Sequence, residues 1–173
     1  MTTTPQSTST LITGGNKGLG LETARRLGEQ GWTIFLGSRD PGRGRTAADQ
    51  LSARGVNVTM VPLDVTSDQS MADAVGLVRQ HTDRLDVLVD NAGAAGNIVT
   101  PEEVTVAEVH SVYNTNVYGP IRVTKAFLPL LRVADNPRVV MVSSAIGSMT
   151  IATDPTHPLR HSTSSPTAPP KQH

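Results

Sequence analysis

A glycine-rich segment near the start of the chain has residue types suited to binding an anion. Gly14, Gly18 and Gly20 have the spacing G-x-x-x-G-x-G, between an apolar run at 10–13 and a helical pattern that begins at 18. A pyrophosphate needs bare backbone N–H groups and a helix N-terminus, and a Cβ atom at these positions would hold it away. The segment therefore predicts a phosphate-binding turn, with a ligand-free glycine turn as the alternative. Lys17 precedes glycine, whereas the phosphate loop of ATPases requires Lys-Ser or Lys-Thr.

Alternating strand and helix patterns must position this turn. Apolar runs of strand length lie at 10–13, 33–37, 58–63, 85–90 and 138–143. Helical patterns lie at 18–30, 41–54, 68–81, 102–113 and about 115–133. A parallel crossover needs a helix to cover the sheet face, so this alternation indicates a parallel sheet. The predicted fold class is α/β, a doubly wound parallel sheet with helices on both faces.

Local signals mark several helix boundaries. Ser67 or Asp68 can cap the helix at 68–81, because a short polar side chain accepts a hydrogen bond from a free N–H at a helix start. Thr100, followed by a proline and two acids, predicts the start of the helix at 102–113. Pro129 is expected to bend or end the long helix.

Composition divides the chain and excludes several functions. We expect a flexible tail at 1–8, one domain at 9–149, and a disordered or aberrant tail at 150–173, which is rich in Ser, Thr and Pro. Fifteen Lys and Arg balance fifteen Asp and Glu without a basic block, which argues against nucleic acid or a membrane surface as partner. The absence of cysteine excludes thiolate catalysis and cysteine-ligated metal, and no metal site is expected. Without a signal-peptide pattern or a bilayer-length apolar run, we expect a cytoplasmic protein.

Five motifs occur in the order expected of one enzyme family. "TGGNKGLG" (13–20) is followed by "LDV" (63–65), "DNAG" (90–93), "NTNVYG" (114–119) and "VSSAIG" (142–147). Over about residues 8–150 the chain resembles the short-chain dehydrogenases/reductases, and most of all their carbonyl-reductase-type branch. The resemblance implies a Rossmann-type sheet of strand order 3-2-1-4-5, incomplete at its C-terminal side, with the fifth strand at an exposed edge.

The resemblance also assigns residues to a dinucleotide. Asp64 would face the adenine ring, although it could merely terminate a strand, and the segment 91–93 would lie beside the adenosine ribose. Asp90 stands where the family usually has asparagine; because a carboxylate only accepts hydrogen bonds, the bracing of this strand is expected to differ. The predicted cofactor-binding residues are Thr13, Gly14, Asn16, Lys17, Gly18, Leu19, Gly20, Ser38, Arg39, Asp64, Val65, Asn91, Ala92 and Gly93.

The end of the second strand predicts which dinucleotide binds. NAD sites usually place an acid there to accept from the ribose 2′-hydroxyl. Here Ser38 occupies about that place, Arg39 follows, and Lys17 lies in the glycine loop on the same side. Two cations without the acid suit a 2′-phosphate, so NADP(H) is favoured over NAD(H). Arg43 is a weaker candidate, and Arg39 could instead be a solvated loop charge.

Family resemblance implies a catalytic set that the sequence only partly contains. A serine holds the substrate carbonyl, a tyrosine delivers the proton, a lysine four residues later lowers the tyrosine pKa, and an asparagine anchors a water relay. Ser144, which is preceded by Ser143, aligns with the serine that holds the carbonyl. Asn116 aligns with the asparagine of the water relay, and Asn114 is a less favoured candidate for that role. Without the family, these would be read as a strand-end hydroxyl and a helix amide.

The tyrosine and lysine have no match. Tyr113 and Tyr118 both precede Ser144, and no Tyr-x-x-x-Lys occurs in the sequence. His157, His161 and Lys171 lie in the polar tail and are assigned no role. Shifted by one base, codons for "SPTAPPKQH" (165–173) can encode tyrosine and lysine four residues apart, which favours a frameshift over a truncation or an unrelated C-terminus.

These patterns predict an NADPH-dependent oxidoreductase acting on a small carbonyl or alcohol substrate. The chain without tyrosine and lysine is expected to be inactive, and the alternative is a non-catalytic dinucleotide-binding fragment. The intact parent is expected to form a homo-oligomer, whereas this chain is expected to be prone to association or aggregation because its fifth strand is unpaired.

Overall fold

The computed structural model of the chain describes residues 7–97, 100, 102–145, 148, 150, 153–154 and 156. The expectations for residues 1–6, for Pro101 and for most of 150–173 lie outside the described residues. Ser7 and Thr8, expected to belong to the tail, already contact the domain: the Ser7 hydroxyl donates to the Gly31 carbonyl at 2.7 Å, and the Thr8 carbonyl accepts from the Thr33 N–H at 2.9 Å.

Five strands and five α-helices make up the described domain. The strands are β1 (Ser9–Ile12), β2 (Thr33–Ser38), β3 (Val58–Pro62), β4 (Val87–Asp90) and β5 (Arg138–Met141). The helices are α1 (Gly18–Glu29), α2 (Pro41–Ser52), α3 (Asp68–Arg79), α4 (Val106–Tyr113) and α5 (Gly119–Leu131). A π-helical turn, Asn114–Tyr118, joins α4 to α5.

All strand pairs are parallel, and the sheet order is β3-β2-β1-β4-β5, as the sequence predicted. Residues that alternate along a strand face opposite sides of the sheet. Leu11 and Phe35 pack into one buried cluster with Phe127 of α5, whereas Ile12 and Leu36 pack into another with helices α1 and α2. Helices therefore cover both faces, which confirms the doubly wound architecture.

Helix boundaries follow their capping side chains. Ser67 caps α3 by accepting from the Ser70 N–H at 3.2 Å, as predicted. The predicted start of the fourth helix is wrong: Thr105 caps α4 by accepting from the Glu108 N–H, so the helix begins four residues late. Thr100 instead closes a separate turn by donating to the Glu103 carboxylate at 3.0 Å. The long helix ends at Leu131, two residues after Pro129.

Strand β5 forms one edge of the sheet. It pairs with β4 from Arg138 to Met141, and all four of its residues are exposed. Val139, Val140 and Met141 are 43%, 46% and 61% exposed. In the described part of the chain, then, the apolar side chains of β5 remain in contact with solvent. None of the helices placed there combines the length and apolar character needed to cross a bilayer.

Candidate functional site

The glycine loop lies at the carboxyl end of the sheet, between β1 and α1. Gly14 and Gly18 have φ values of 63° and 55°, a region that favours glycine. A Cβ atom on Gly14 would lie 3.0 Å from the Ala92 Cα, and one on Gly20 would lie 2.5 Å from the Asn91 Nδ2. Nothing lies within 4 Å of the corresponding position at Gly18, which faces open space. Two glycines thus permit close packing, and Gly18 leaves room for a ligand.

Thr13 and Asn91 bind this loop to the segment that follows β4. The Thr13 hydroxyl accepts from the N–H groups of Asn91 and Ala92, each at 2.9 Å. In the reverse direction, the Asn91 side-chain amide donates to the carbonyls of Thr13 at 2.9 Å and Gly14 at 3.1 Å. These four bonds hold together the carboxyl ends of two neighbouring strands. The two residues support the site because they position the backbone around it.

Asp64 stands just after β3 in a tight turn. One oxygen of its carboxylate, Oδ1, accepts from the Thr66 N–H at 2.9 Å and from the Thr66 hydroxyl at 2.7 Å. The Asp64 N–H donates to the Ser70 hydroxyl at 2.9 Å, so the first turn of α3 also holds Asp64. The turn orients the carboxylate and leaves its second oxygen without a described protein partner, available to a ligand's N–H group.

These segments surround one open cleft of about 420 Å³. Switch points between neighbouring strands of an α/β sheet commonly bind ligands at this edge. The residues that line it are Gly14, Asn16, Lys17, Gly18, Leu19, Arg39, Leu63, Asp64, Val65, Thr66, Asn91, Ala92, Gly93, Ala94 and Thr115. Most of the predicted cofactor-binding residues are therefore brought together in one place.

The predicted cations reach the cleft, but Ser38 does not. Lys17 and Arg39 both line it, and neither forms an ion pair with a described residue. Ser38 is fully buried, and its hydroxyl donates to the Asp40 carbonyl at 2.8 Å. The predicted direct contact of Ser38 with a ligand has no support in this placement. Ser38 instead fixes the turn that carries Arg39.

Asn116 lies in the π-helical turn and holds the segment after β4. Its Oδ1 accepts from the Ala94 N–H, and its Nδ2 donates to the Ala94 carbonyl, each at 2.8 Å. The side-chain amide thus pairs with the N–H and the C=O of one residue, as a neighbouring strand would. π-Helical turns occur often at functional sites. Sequence patterns did not predict this turn or the contribution of Ala94 to the cleft wall.

Ser144 follows β5 by three residues and is exposed. The strand ends next to β4, since the Val142 N–H donates to the Asp90 carbonyl at 2.9 Å. Ser144 and Asn116 are not among the residues lining the cleft. The structure therefore places Ser144 at the same edge of the sheet as the cleft, outside its walls.

Asp90 is a buried carboxylate that ends β4. It is 6% exposed; the Thr124 hydroxyl donates to its Oδ2 at 3.3 Å, and Oδ1 has no hydrogen-bond partner among the described residues. Burial raises the pKa of the Asp90 carboxyl to about 6, and the bond from Thr124 opposes this rise. The side-chain bracing at this end of β4 therefore depends on the single hydrogen bond from Thr124.

Four residues of the candidate site were not predicted from the sequence. Leu63, Thr66, Ala94 and Thr115 line the cleft but were not predicted. Thr66 had a usable signal, because Asp-x-Thr favours a side-chain turn in which the aspartate accepts from the residue two positions on. Ala94 and Thr115 had none, since their place depends on the π-helical turn. Among the described residues, no group of acidic or histidine side chains is arranged to hold a metal ion.

Known proteins are similar to this chain in sequence over most of its length. A family model described as short chain dehydrogenase matches residues 8–156. Short-chain dehydrogenase/reductase 1 of Saponaria officinalis is 36% identical over 159 residues, which cover 79% of this chain and 53% of that protein. An uncharacterized oxidoreductase of Schizosaccharomyces pombe is 40% identical, covering 80% of this chain and 54% of its own length.

Solved structures of two oxidoreductases are also similar to this chain in fold. Actinorhodin polyketide ketoreductase, an F189W variant with NADPH, is 32% identical with a TM-score of 0.77, covering 91% of this chain and 59% of that one. A metagenomic short-chain oxidoreductase in complex with NADP is 26% identical with a TM-score of 0.74, covering 82% of this chain and 64% of that one. The chain spans about half the length of the curated relatives it matches. By the extent of the family match, the chain belongs to the short-chain dehydrogenase family.

Proposed function

We propose that the chain is the dinucleotide-binding part of an NADP(H)-dependent oxidoreductase that interconverts a carbonyl compound and an alcohol. The observation that carries this proposal is the cleft in which the glycine loop, Asp64 and two cations meet, neither cation being paired with a described residue. Two relatives, a (+)-neomenthol dehydrogenase of Arabidopsis thaliana and a salutaridine reductase of Papaver bracteatum, support a small organic substrate.

The residues fit a dinucleotide in shape and in chemistry. Gly14 and Gly18 expose backbone at the N-terminus of α1, where a pyrophosphate is stabilised by N–H groups and the helix dipole. The free oxygen of Asp64 can accept from an adenine amino group. The walls formed by residues 91–94 are held by hydrogen bonds before a ligand arrives, which lowers the entropic cost of binding.

A preference for NADP(H) follows from charge. Lys17 and Arg39 line the cleft and are unpaired in the described structure, while the end of β2 presents a buried hydroxyl instead of a carboxylate. An arginine pairs strongly with a phosphate, whereas the 2′-hydroxyl of NAD lacks the acid that usually accepts from it. The NADP and NADPH complexes of two similar structures are consistent with this preference.

The chain's own residues would divide the work of the reaction. The nicotinamide ring, when bound, supplies or accepts the hydride. Ser144 would hold the substrate oxygen by donating a hydrogen bond, and Asn116 would keep the cleft wall in place through Ala94. Proton delivery needs an acid whose pKa is tuned towards neutrality, and the 173 residues contain no Tyr-x-x-x-Lys to provide it. We therefore expect negligible turnover from this chain alone.

The second candidate function is dinucleotide binding without chemistry, favoured by the absence of that tyrosine and lysine pair.

For the whole protein we propose a cytoplasmic homo-oligomer. Exposed apolar side chains on α4 and α5, with Val106 87% and Ile121 61% exposed, support contact with a second copy.

Calorimetric titration with NADP⁺ and NAD⁺ tests the cofactor proposal. We expect tighter binding of NADP⁺, and Arg39→Asp should weaken NADP⁺ binding at least roughly tenfold while changing NAD⁺ binding little, because a charge-assisted bond is replaced by repulsion. Arg79→Asp, the same charge reversal at the end of α3, is the control. Equal affinities, or an Arg39 variant that behaves as the control does, would contradict the preference for NADP(H).

An NADPH oxidation assay with a panel of ketones and aldehydes separates the two candidate functions. The 173-residue chain should bind NADPH without consuming it, since general acid–base catalysis alone contributes about 10²–10⁴-fold. Turnover within tenfold of full-length family members would overturn the proposed inactivity. Turnover that Ser144→Ala abolishes would also identify the carbonyl-binding serine.

A further inference from the structure

Arg122, in the first turn of α5, reaches two separate segments of the chain. Its Nε lies 3.2 Å from the Asp68 Oδ1 at the start of α3, and its Nη1 donates to the Asn114 Oδ1 at 2.9 Å in the π-helical turn. The same Nη1 approaches the carbonyl oxygens of Val65 and Asn114, each at 3.5 Å. One half-buried guanidinium thus joins the segment after β3 to the π-helical turn.

Both of the joined segments carry residues of the cleft. Residues 64–66 line it from the segment after β3, and Thr115 lines it from the π-helical turn. Arg122 is not among the lining residues. It can therefore affect a ligand in the cleft only through the two segments that it holds.

The same two segments also touch directly at Gly119, the first residue of α5. Gly119 is buried, and a Cβ atom on it would lie 2.9 Å from the Val65 Cγ2 and 3.1 Å from the Val65 Cβ. Val65 is 7% exposed. This contact prevents a closer approach of the segments, while the bonds of Arg122 oppose their separation. The spacing between residues 64–66 and Thr115 is therefore fixed in both directions.

We propose that Arg122 is a positioning residue for recognition of the adenine ring. By fixing this spacing, it keeps the second carboxylate oxygen of Asp64 within reach of the amino group of an adenine bound in the cleft. Without the guanidinium, the segment after β3 can move outward. The carboxylate then stays oriented by Thr66 within its own turn, but the whole turn is displaced from the ligand. This inference rests on the proposed binding of a dinucleotide.

Two ligands that differ in one group test this role. They are NADP⁺ and its purine analogue, in which a hydrogen atom replaces the adenine amino group. Calorimetry would measure both affinities on the wild-type chain, Arg122→Met and Arg122→Lys. Lysine keeps the charge but lacks the planar fork that can bind both segments at once. Arg132→Met makes the same substitution at an exposed residue that follows α5, and it serves as the control.

We expect the wild-type chain to bind NADP⁺ roughly tenfold more tightly than the purine analogue, because one hydrogen bond to a charged group is lost with the amino group. In both Arg122 variants this ratio should fall below about threefold, through weaker binding of NADP⁺, because the same bond is no longer made. Arg132→Met should keep the wild-type ratio. Both ligands bind only the folded chain, so a loss of stability alone leaves the ratio unchanged.

Three results overturn the inference. An Arg122 variant that keeps the wild-type ratio shows that Arg122 does not position Asp64, and this leaves the cofactor proposal intact. Equal affinities of the wild-type chain for the two ligands show that Asp64 does not recognise the amino group, and again leave dinucleotide binding intact. A wild-type chain that binds neither ligand overturns the cofactor proposal and this inference with it. Thermal unfolding of each protein checks that the domain remains folded.

Discussion

At the scale of single residues, Asp90 has an uncompensated buried charge. Within the part of the chain that the structure describes, one of its oxygens has no hydrogen-bond partner, and the other receives a single bond from Thr124. Ionisation is therefore costly in the folded chain, and the pKa rises from 3.8 to about 6. Because the folded pKa is raised, the favourable contribution of protonated Asp90 is present below about pH 4 and is lost as pH rises through about 6.

Asp90→Asn should remove this pH dependence. A rise of roughly two pKa units corresponds to about 3 kcal/mol, so the variant should gain up to about that much in free energy of unfolding above pH 7 and little at pH 4. Asparagine keeps an oxygen for the Thr124 hydroxyl and adds a donor. Urea unfolding at both pH values measures the effect, with Asp73→Asn on the exposed side of α3 as the control. A gain that is equal at pH 4 and pH 8 would argue against a raised pKa.

Which residues could be predicted depended on whether backbone geometry demands one residue type. Gly14 and Gly18 could be assigned because the turn requires positive φ and a close approach. The direction of Ser38 could not, because residue spacing places it at the strand end but does not decide between the cleft and the turn that it stabilises. The role of Asn116 came from family resemblance, while its pairing with Ala94 needed coordinates.

At the scale of elements, the π-helical turn between α4 and α5 places Asn116 against the cleft wall. Pro120 follows this turn and has no N–H to donate to the carbonyl four residues earlier, which favours a change of helical register there.

Strand limits were predictable to within two or three residues because buried runs are bounded by turn residues. The start of α4 was not, because Thr100 and Thr105 are both good caps and only packing decides between them.

Asn116→Ala should loosen the cleft wall without unfolding the helix. Two hydrogen bonds to Ala94 are lost at an exposed site, so stability should fall by about 1 kcal/mol and binding of the dinucleotide should weaken several-fold. Hydrogen exchange of a peptide covering 92–97 should accelerate. Asn114→Ala is the matched control. Asn114 lies in the same π-helical turn, but its amide oxygen accepts from Arg122 of α5 and makes no described hydrogen bond to the cleft wall. Equal acceleration of hydrogen exchange in both variants would show that loosening of the π-helical turn is responsible, and not the loss of the two bonds between Asn116 and Ala94.

At the scale of the whole molecule, the sheet ends at a strand whose apolar side chains are exposed. Val139, Val140 and Met141 of β5 face solvent in a sheet whose three central strands, β1, β2 and β4, are mostly buried. An edge strand of this kind offers free N–H and C=O groups together with apolar surface, a combination that favours pairing with another chain. The 173-residue chain is therefore expected to associate.

Val140→Lys should reduce that association. A charge on an edge strand opposes pairing, and the side chain is already 46% exposed, so the thermal unfolding temperature should change little. Val133→Lys adds the same charge at a residue that is 62% exposed just after α5, and provides the control. Light scattering over a range of protein concentrations measures the difference. If both lysine substitutions reduce association equally, the added net charge explains the effect, and the position on the edge strand β5 does not.

The four hydrogen bonds between Thr13 and Asn91 and their neighbours also bear on motion. Loops at the ends of separate strands usually fluctuate independently, each on its own timescale. Here the loop after β1 cannot move away from the segment after β4 unless bonds in both directions break together. We therefore expect the two walls of the cleft to fluctuate as one cooperative unit, so that a ligand that orders either wall also orders the other.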